Sequence, residues 1–369
     1  MIQPARRMDQ VQGQPMFGLL ARAQEMERAG RDMVHFELGD TNFDTPADVK
    51  AAVVEALDRN QTHYAAPSGR YEIKRAAMQV TARSRGFTPA ESQLLVTPGA
   101  NMQIYLALAV ACDPGDAVAI PVPYFPSYVA QVCALGLKIV LYDSVEALCK
   151  MQPKAIILNS PNNPTGKVLS ENDIEAVYRS ANASDALLIS DEVYSRMIYK
   201  GTFFSPSVYD HCRERTVVVN GFSKSFAMSG WRLGVMTGPE NIIKKCTVLL
   251  ETILSCVPPF IQMAGAKALL GMQEETKNMR ANLEVRRLLM WNGLNSLKGV
   301  KCEEPEGGLY CWANIEDTRL SAKEYADKAM VVGVVLSPGT FFGQEGFVRL
   351  CYGCSEEDIK KGIERLRGI

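Results

Sequence analysis

Ser223-Lys224-Ser225 stands two residues past the apolar run 216–220, and an arginine, Arg232, comes eight residues after the lysine. A lysine amine forms Schiff bases with carbonyl compounds once burial or a neighbouring cation lowers its pKa. Arg232 can be that cation. Other polar or aromatic groups follow other apolar runs in the same way. Gly99, Ala100 and Asn101 follow 94–97 and open a helical pattern, Phe125 follows 117–121, and Asn163 lies in the turn "PNNPTG" after 155–160. Asp191 follows 186–190, with Tyr194 three residues later. Taken singly, each has an ordinary structural reading: a helix start, a turn, a loop carboxylate, a solvated lysine, a structural ion pair. Their recurrence at successive strand ends points to one site.

The chemistry this set can serve is narrow. A helix N-terminus at Gly99–Asn101, the Ser223 hydroxyl and Arg232 together suit a phosphate dianion. A buried Asp191 can keep a pyridine nitrogen protonated, which makes the ring an electron sink, and Phe125 can stack on the ring face. With Lys224 as the amine, these demands describe pyridoxal 5′-phosphate.

The positioning elements are legible as runs. Segments 94–97, 117–121, 138–142, 155–160, 186–190 and 216–220 are continuously apolar and rich in β-branched residues, as strands buried on both faces should be. Amphipathic stretches between several of them give a βαβ rhythm, hence a mostly parallel α/β sheet with helices on both faces. Ligands bind outside the carboxyl ends of such strands. Helices are expected at 17–30, at 45–60 with Thr45 as N-cap, at 240–255, within 262–299, and at 355–369 behind Ser355. Short strand candidates at 307–315 and 347–353 suggest a smaller α+β domain. The expected division is a large domain over 45–265 and a small one from 1–44 and 266–369.

Composition bounds the partners. The 369 residues carry 40 basic and 41 acidic side chains, a net charge of −1, so no basic nucleic-acid face is expected. No apolar run reaches the length of a membrane span. Ten scattered cysteines and an N-terminus without an apolar stretch suggest reduced thiols in the cytoplasm.

The motifs "LGDTNFDTP", "HYAAPSGRYEIKRA", "LVTPGANMQ", "LNSPNNPTGKV", "ISDEVY", "NGFSKSFAMSGWRLG" and "VRLCYGCS", in this order, resemble the class I/II aminotransferases of the fold type I pyridoxal-phosphate enzymes. The resemblance implies a reaction that moves the amino group of an L-amino acid to a 2-oxo acid. It makes Lys224 the Schiff-base lysine and proton carrier and Asp191 the partner of the pyridinium nitrogen. Tyr194 and Asn163 become donors to the cofactor's 3′-oxygen, and Gly99, Ala100, Asn101, Ser223 and Arg232 the phosphate cradle. Phe125 takes the stacking position, Arg349 grips the substrate α-carboxylate, and the Gly39 backbone lies beside that carboxylate. Tyr64 would reach the phosphate of a neighbouring subunit, so a homodimer is implied.

The chain departs from the common pattern at "GDTNF", where a proline is absent, and at Gly221, where relatives often carry serine. These leave the side-chain preference open, together with three alternatives that share the same carbanion: a lyase, a cyclising synthase or an oxidase. A non-catalytic binding module is disfavoured by intact Lys224, Asp191 and Arg232. "CYGC" (351–354) lacks a second ligand pair, and His35, His63 and His211 are far apart in sequence, so no metal site is expected.

Overall fold

The computed structural model describes residues 2–271 and 273–369. Its strands in chain order are β1 Val34–His35, β2 Leu94–Thr97, β3 Ala117–Pro121, β4 Lys138–Tyr142, β5 Ala155–Asn159, β6 Leu187–Asp191, β7 Thr216–Val219, β8 Gly234–Thr237, β9 Lys301–Cys302, β10 Tyr310–Asn314, β11 Val334–Val335, β12 Ser337–Pro338 and β13 Phe347–Cys351. Seven form one sheet in the order β2-β8-β7-β6-β5-β3-β4. Only β8 runs against the rest, pairing antiparallel with both β2 and β7.

The sheet's two faces are read off alternate residues. Leu95 and Ile157 pack on one side with Ile104, Leu108, Ile243 and Leu250. Leu94 and Val96 turn to the other, against Ile73 and Phe222, while Ile156 and Leu158 meet Ile174 and Val177. This is the period-2 pleat with both faces covered, and each such aliphatic side chain removed from water contributes about 1.5–3 kcal/mol. The edge strand β4 is the correction to the expected burial: it pairs on one side only, and Ile139 and Leu141 are exposed.

A second, four-stranded sheet has the order β12-β13-β10-β9, and β1 pairs in parallel with β11 beside it. Its core joins Phe36, Leu309, Tyr310, Leu350 and Tyr352 to Leu283, Met290 and Ile363. Residues from near both chain ends therefore build one unit.

Helices α1 Met16–Arg28, α2 Ala47–Asp58, α3 Tyr71–Arg85, α4 Ala100–Ala111 and α5 Pro126–Ala134 precede the longer C-terminal ones. The helix at 240–255 is found as Glu240–Leu254, and Ser355 caps Glu356–Leu366 by accepting from Asp358 N. The pattern over 262–299 is two helices, Pro259–Gly271 and Gln273–Asn295. The expected Thr45 cap is corrected: α2 starts behind Pro46 without a side-chain cap. Thr45 Oγ1 instead donates to Ala227 O at 2.6 Å and accepts from Trp231 Nε1 at 3.0 Å. Its hydroxyl thus ties the start of α2 to the loop beyond Lys224. Among the described residues no helix is long and apolar enough to cross a membrane, and the ten cysteines are free thiols.

Candidate active site

Strand register delivers the polar groups together. Asn159 and Asp191 are paired positions at the ends of β5 and β6, and Asp191 is also paired with Val219, the last residue of β7. Lys224 stands in the short helix Phe222–Ser225 just past β7. These residues open on a cavity of about 510 Å³ lined also by Ala100, Asn101, Phe125, Asn163, Tyr194, Ser223, Arg232 and Arg349, a size common for cofactor and small-molecule sites.

The floor is Asp191. Its carboxyl is buried and lies 2.6 Å from the Tyr128 hydroxyl, which donates to Oδ2, while Val193 N donates to Oδ1 at 3.3 Å. Burial pushes the carboxyl up to about 6, and the Tyr128 hydrogen bond is the strongest influence holding it down. Asn159 Nδ2 fixes the strand end by donating to Asp191 O at 3.1 Å.

Lys224 is half-buried at the cavity wall, and its Nζ donates to the carbonyl oxygen of Gly39. Burial lowers its pKa; Asp40 and Cys351 push the other way, and the Arg349 and Arg232 charges lower it further. Gly39 is required here, because a Cβ at this position would lie 1.8 Å from the Tyr310 hydroxyl oxygen.

Helix α4 opens at Gly99, where φ is +86° and ψ 170°, a region essentially reserved for glycine. A Cβ there would meet Arg232 Nη2 at 2.5 Å, so the guanidinium sits directly against the helix start. The first N–H groups of a helix lack intrahelical partners and carry partial positive charge. With Arg232 and the Ser223 hydroxyl beside them, the donor set fits a phosphate.

Arg349, in β13, is buried between two rings, 4.3 Å from the Tyr310 centroid and 4.6 Å from that of Phe342. Nη1 donates to Asn163 Oδ1 at 2.9 Å and Nη2 to Glu37 O at 2.5 Å. Its Nε has no partner in the structure although it is buried. A guanidinium has five N–H donors, so this fork is held rigidly and still has donors for a carboxylate.

Sequence reasoning placed Lys224, Asp191, Gly39, Ala100, Asn101, Phe125, Asn163, Tyr194, Ser223, Arg232 and Arg349 around one cavity, and they line it. Two contacts differ in detail. Gly39 presents its carbonyl to Lys224, while the backbone oxygen that meets Arg349 belongs to Glu37. The Tyr194 hydroxyl is shared with that of Tyr310 at 2.7 Å. Tyr64 lies outside the cavity and is 88% exposed. Tyr128, Tyr310 and Glu37 were not singled out from sequence. Tyr128 had a visible signal, since it closes the aromatic patch "VPYFPSY" after a strand. Tyr310 and Glu37 had none.

Among the described residues no group of histidine, cysteine and carboxylate side chains is arranged for a metal ion. Cys351 of the "CYGC" stretch is buried behind the site, where Gly353 N donates to its Sγ at 3.4 Å. A buried carboxylate floor, a half-buried lysine and a phosphate-suited helix start are the three fittings pyridoxal 5′-phosphate needs, and the residues present fit it.

The family model described as aminotransferase class I and II matches residues 31–366. An aromatic-amino-acid aminotransferase 2 of Thermococcus litoralis is 35% identical, with 91% of each chain covered. An aspartate/prephenate aminotransferase of Thermus thermophilus is 32% identical over 99% of this chain and 98% of its own. The solved structure of aspartate aminotransferase from Thermus thermophilus with maleate superposes with a TM-score of 0.95 at 32% identity, covering both chains completely.

Proposed function

We propose a division of labour among these residues from one premise: the chain belongs to the class I and II aminotransferases, pyridoxal-phosphate enzymes that move an amino group from an amino acid to a 2-oxo acid. When bound, the cofactor supplies an electrophilic carbonyl carbon and a ring that accepts an electron pair. The observation that carries the assignment is the half-buried Lys224 amine in a cavity floored by Asp191 and flanked by Arg232 and Arg349.

Lys224 has two tasks, to attach the cofactor and to move the proton at the substrate Cα. Both need a free amine, and its lowered pKa raises the unprotonated fraction near neutrality. Asp191 would hold the protonated ring nitrogen, a cation that restores the carboxylate its burial disfavours. Gly99, Ala100, Asn101, Ser223 and Arg232 would hold the phosphate, and Phe125 one ring face. Asn163, whose Oδ1 is taken by Arg349, keeps its amide N–H groups for the 3′-oxygen, with the Tyr194 hydroxyl as second donor. Arg349 receives the α-carboxylate. Its planar fork then fixes the Cα–H bond relative to Lys224, which is the orienting part of the rate gain.

A homodimer is part of this reading. Tyr64 is exposed, Ala65 N donates to Cys256 Sγ at 3.4 Å, and Ile253 and Leu254, just before that cysteine, are 52% and 42% exposed. An apolar patch of this kind around a tyrosine suits a second copy of the chain, and sedimentation equilibrium tests it. Two separate sheets with their own cores support the division into 45–265 and a small domain from 1–44 and 266–369. Ten unpaired thiols suit a cytoplasmic protein.

The direct test has two arms. Borohydride treatment of the loaded protein should fix the cofactor's mass on the peptide containing Lys224, and K224A should lose that mass while remaining folded. Addition of an amino acid without any oxo acid should release one equivalent of 2-oxo acid per site and stop. Product beyond one equivalent assigns the carbanion to elimination, cyclisation or oxidation.

A further inference from the structure

The relatives divide between aspartate and aromatic substrates by name, and the cavity distinguishes the two by its charges. We propose, resting on the aminotransferase reading above, that this site takes large neutral amino acids, aromatic side chains first, and rejects dicarboxylic ones both as amino donors and as 2-oxo-acid acceptors.

Three cations line the cavity: Lys224, Arg232 and Arg349. In the division of labour above each is committed, to the carbonyl carbon, the phosphate and the α-carboxylate. Among the described lining residues there is no fourth. A substrate with a second carboxylate would bring it out of water without a counter-charge, a cost larger than any apolar contact returns.

The one uncommitted charge among the described lining residues is of the wrong sign. Asp40 lines the cavity, with Oδ2 accepting from Ser229 Oγ at 2.7 Å and Oδ1 from Thr41 N at 2.9 Å. Its field reaches the site, since it raises the pKa values of both Lys224 and Tyr310. A substrate carboxylate would meet that same field as repulsion.

The wall next to Arg349 is apolar. Phe342, which covers one face of its guanidinium, packs in a cluster with Met16 and Trp312, and Leu38 and Phe125 lie against that cluster. Met16, Leu38 and Phe125 also line the cavity. A substrate held at Arg349 therefore places its side chain beside rings and a thioether, which favour a flat apolar group. Gln14 adds an uncharged polar group that can hydrogen-bond a phenol or indole but cannot neutralise a carboxylate. The same pocket receives donor and acceptor in turn, so the exclusion applies in both directions.

The test compares half-reactions of the holoenzyme with phenylalanine, tyrosine, alanine, aspartate and glutamate, each without an oxo acid. Phenylalanine should exceed aspartate and glutamate in kcat/KM by at least about 100-fold, and phenylpyruvate should recharge the aminated enzyme better than 2-oxoglutarate by a similar factor. A readout independent of turnover is calorimetric binding to the same holoenzyme, where 3-phenylpropionate should bind and succinate should not. Q14K, which places a cation at the cavity lining, should raise kcat/KM for aspartate by about tenfold or more. Aspartate or glutamate within tenfold of phenylalanine overturns the proposal. Alanine ahead of phenylalanine overturns the size preference. If no amino acid discharges the cofactor at all, the aminotransferase assignment of these residues fails instead.

Discussion

Replacing Tyr128 by phenylalanine removes a single oxygen from the floor of the cavity. That oxygen donates to Asp191 Oδ2 at 2.6 Å, and both residues are buried. Hydrogen bonds to charged groups are worth about 1.5–3 kcal/mol, and one pH unit corresponds to about 1.4 kcal/mol. The loss should therefore move the titration midpoint of Asp191 upward, from about 6, by roughly one to two pH units.

The carboxylate holds a protonated ring nitrogen far more strongly than the neutral acid does, so the assay is cofactor affinity against pH. Cofactor-free wild type and Y128F are titrated with pyridoxal 5′-phosphate over a pH series, and the ratio of their Kd values is plotted. Titrations belonging to the cofactor itself cancel in that ratio. It should fall from about 10–100-fold on the acid side towards a small constant at alkaline pH. A flat ratio would refute the reasoning, because it would mean that Tyr128 acts through shape alone. The sign for stability is opposite to that of a salt-bridged carboxylate. The fold raises the Asp191 pKa from 3.8 to about 6, so this group's contribution declines by about 3 kcal/mol as pH climbs through that window.

Three further outcomes follow from the same geometry. R349K keeps the charge but loses the fork that meets Asn163 and Glu37; kcat/KM should drop about 100- to 1000-fold, read from single-turnover kinetics. G99A forces a side chain into a glycine-only conformation against Arg232; its cost of about 1–3 kcal/mol should appear as weaker cofactor binding in a fluorescence titration. His35, held between Glu37 and Glu27, is raised from 6.5 to about 9. Its stabilisation is complete below 6.5 and lost as pH rises through about 9, so melting temperature should decline across that window and H35N should flatten the decline.

The sequence announced what continuity and local pattern can announce. Strands buried on both faces, such as 155–160, read as unbroken apolar runs, and the polar or aromatic groups read just past five of the runs line one cavity because strand ends converge. Strand β8, the short "GVMT", was not read, since a glycine start right after Trp231, Arg232 and Leu233 gives no periodicity. Thr45 had the composition of a cap but found partners in Ala227 and Trp231, 182 and 186 residues away. Tyr128 was visible as an aromatic residue, yet its partner Asp191 lies 63 residues on, and only the packing of α5 on the sheet brings them together. Long-range pairing, rather than residue type, is what a single sequence conceals.

The Arg349 bond to the Glu37 carbonyl closes a span of 312 residues. Closing so long a loop carries an entropic cost that no local contact offsets, and contacts of this separation form late. During synthesis the large sheet can settle as its strands leave the ribosome, because its members lie between 94 and 237. The substrate grip has to wait for residue 349, well after the last strand of that sheet. A nascent or truncated chain lacking that stretch can therefore carry the lysine and the phosphate cradle without being able to select an amino acid.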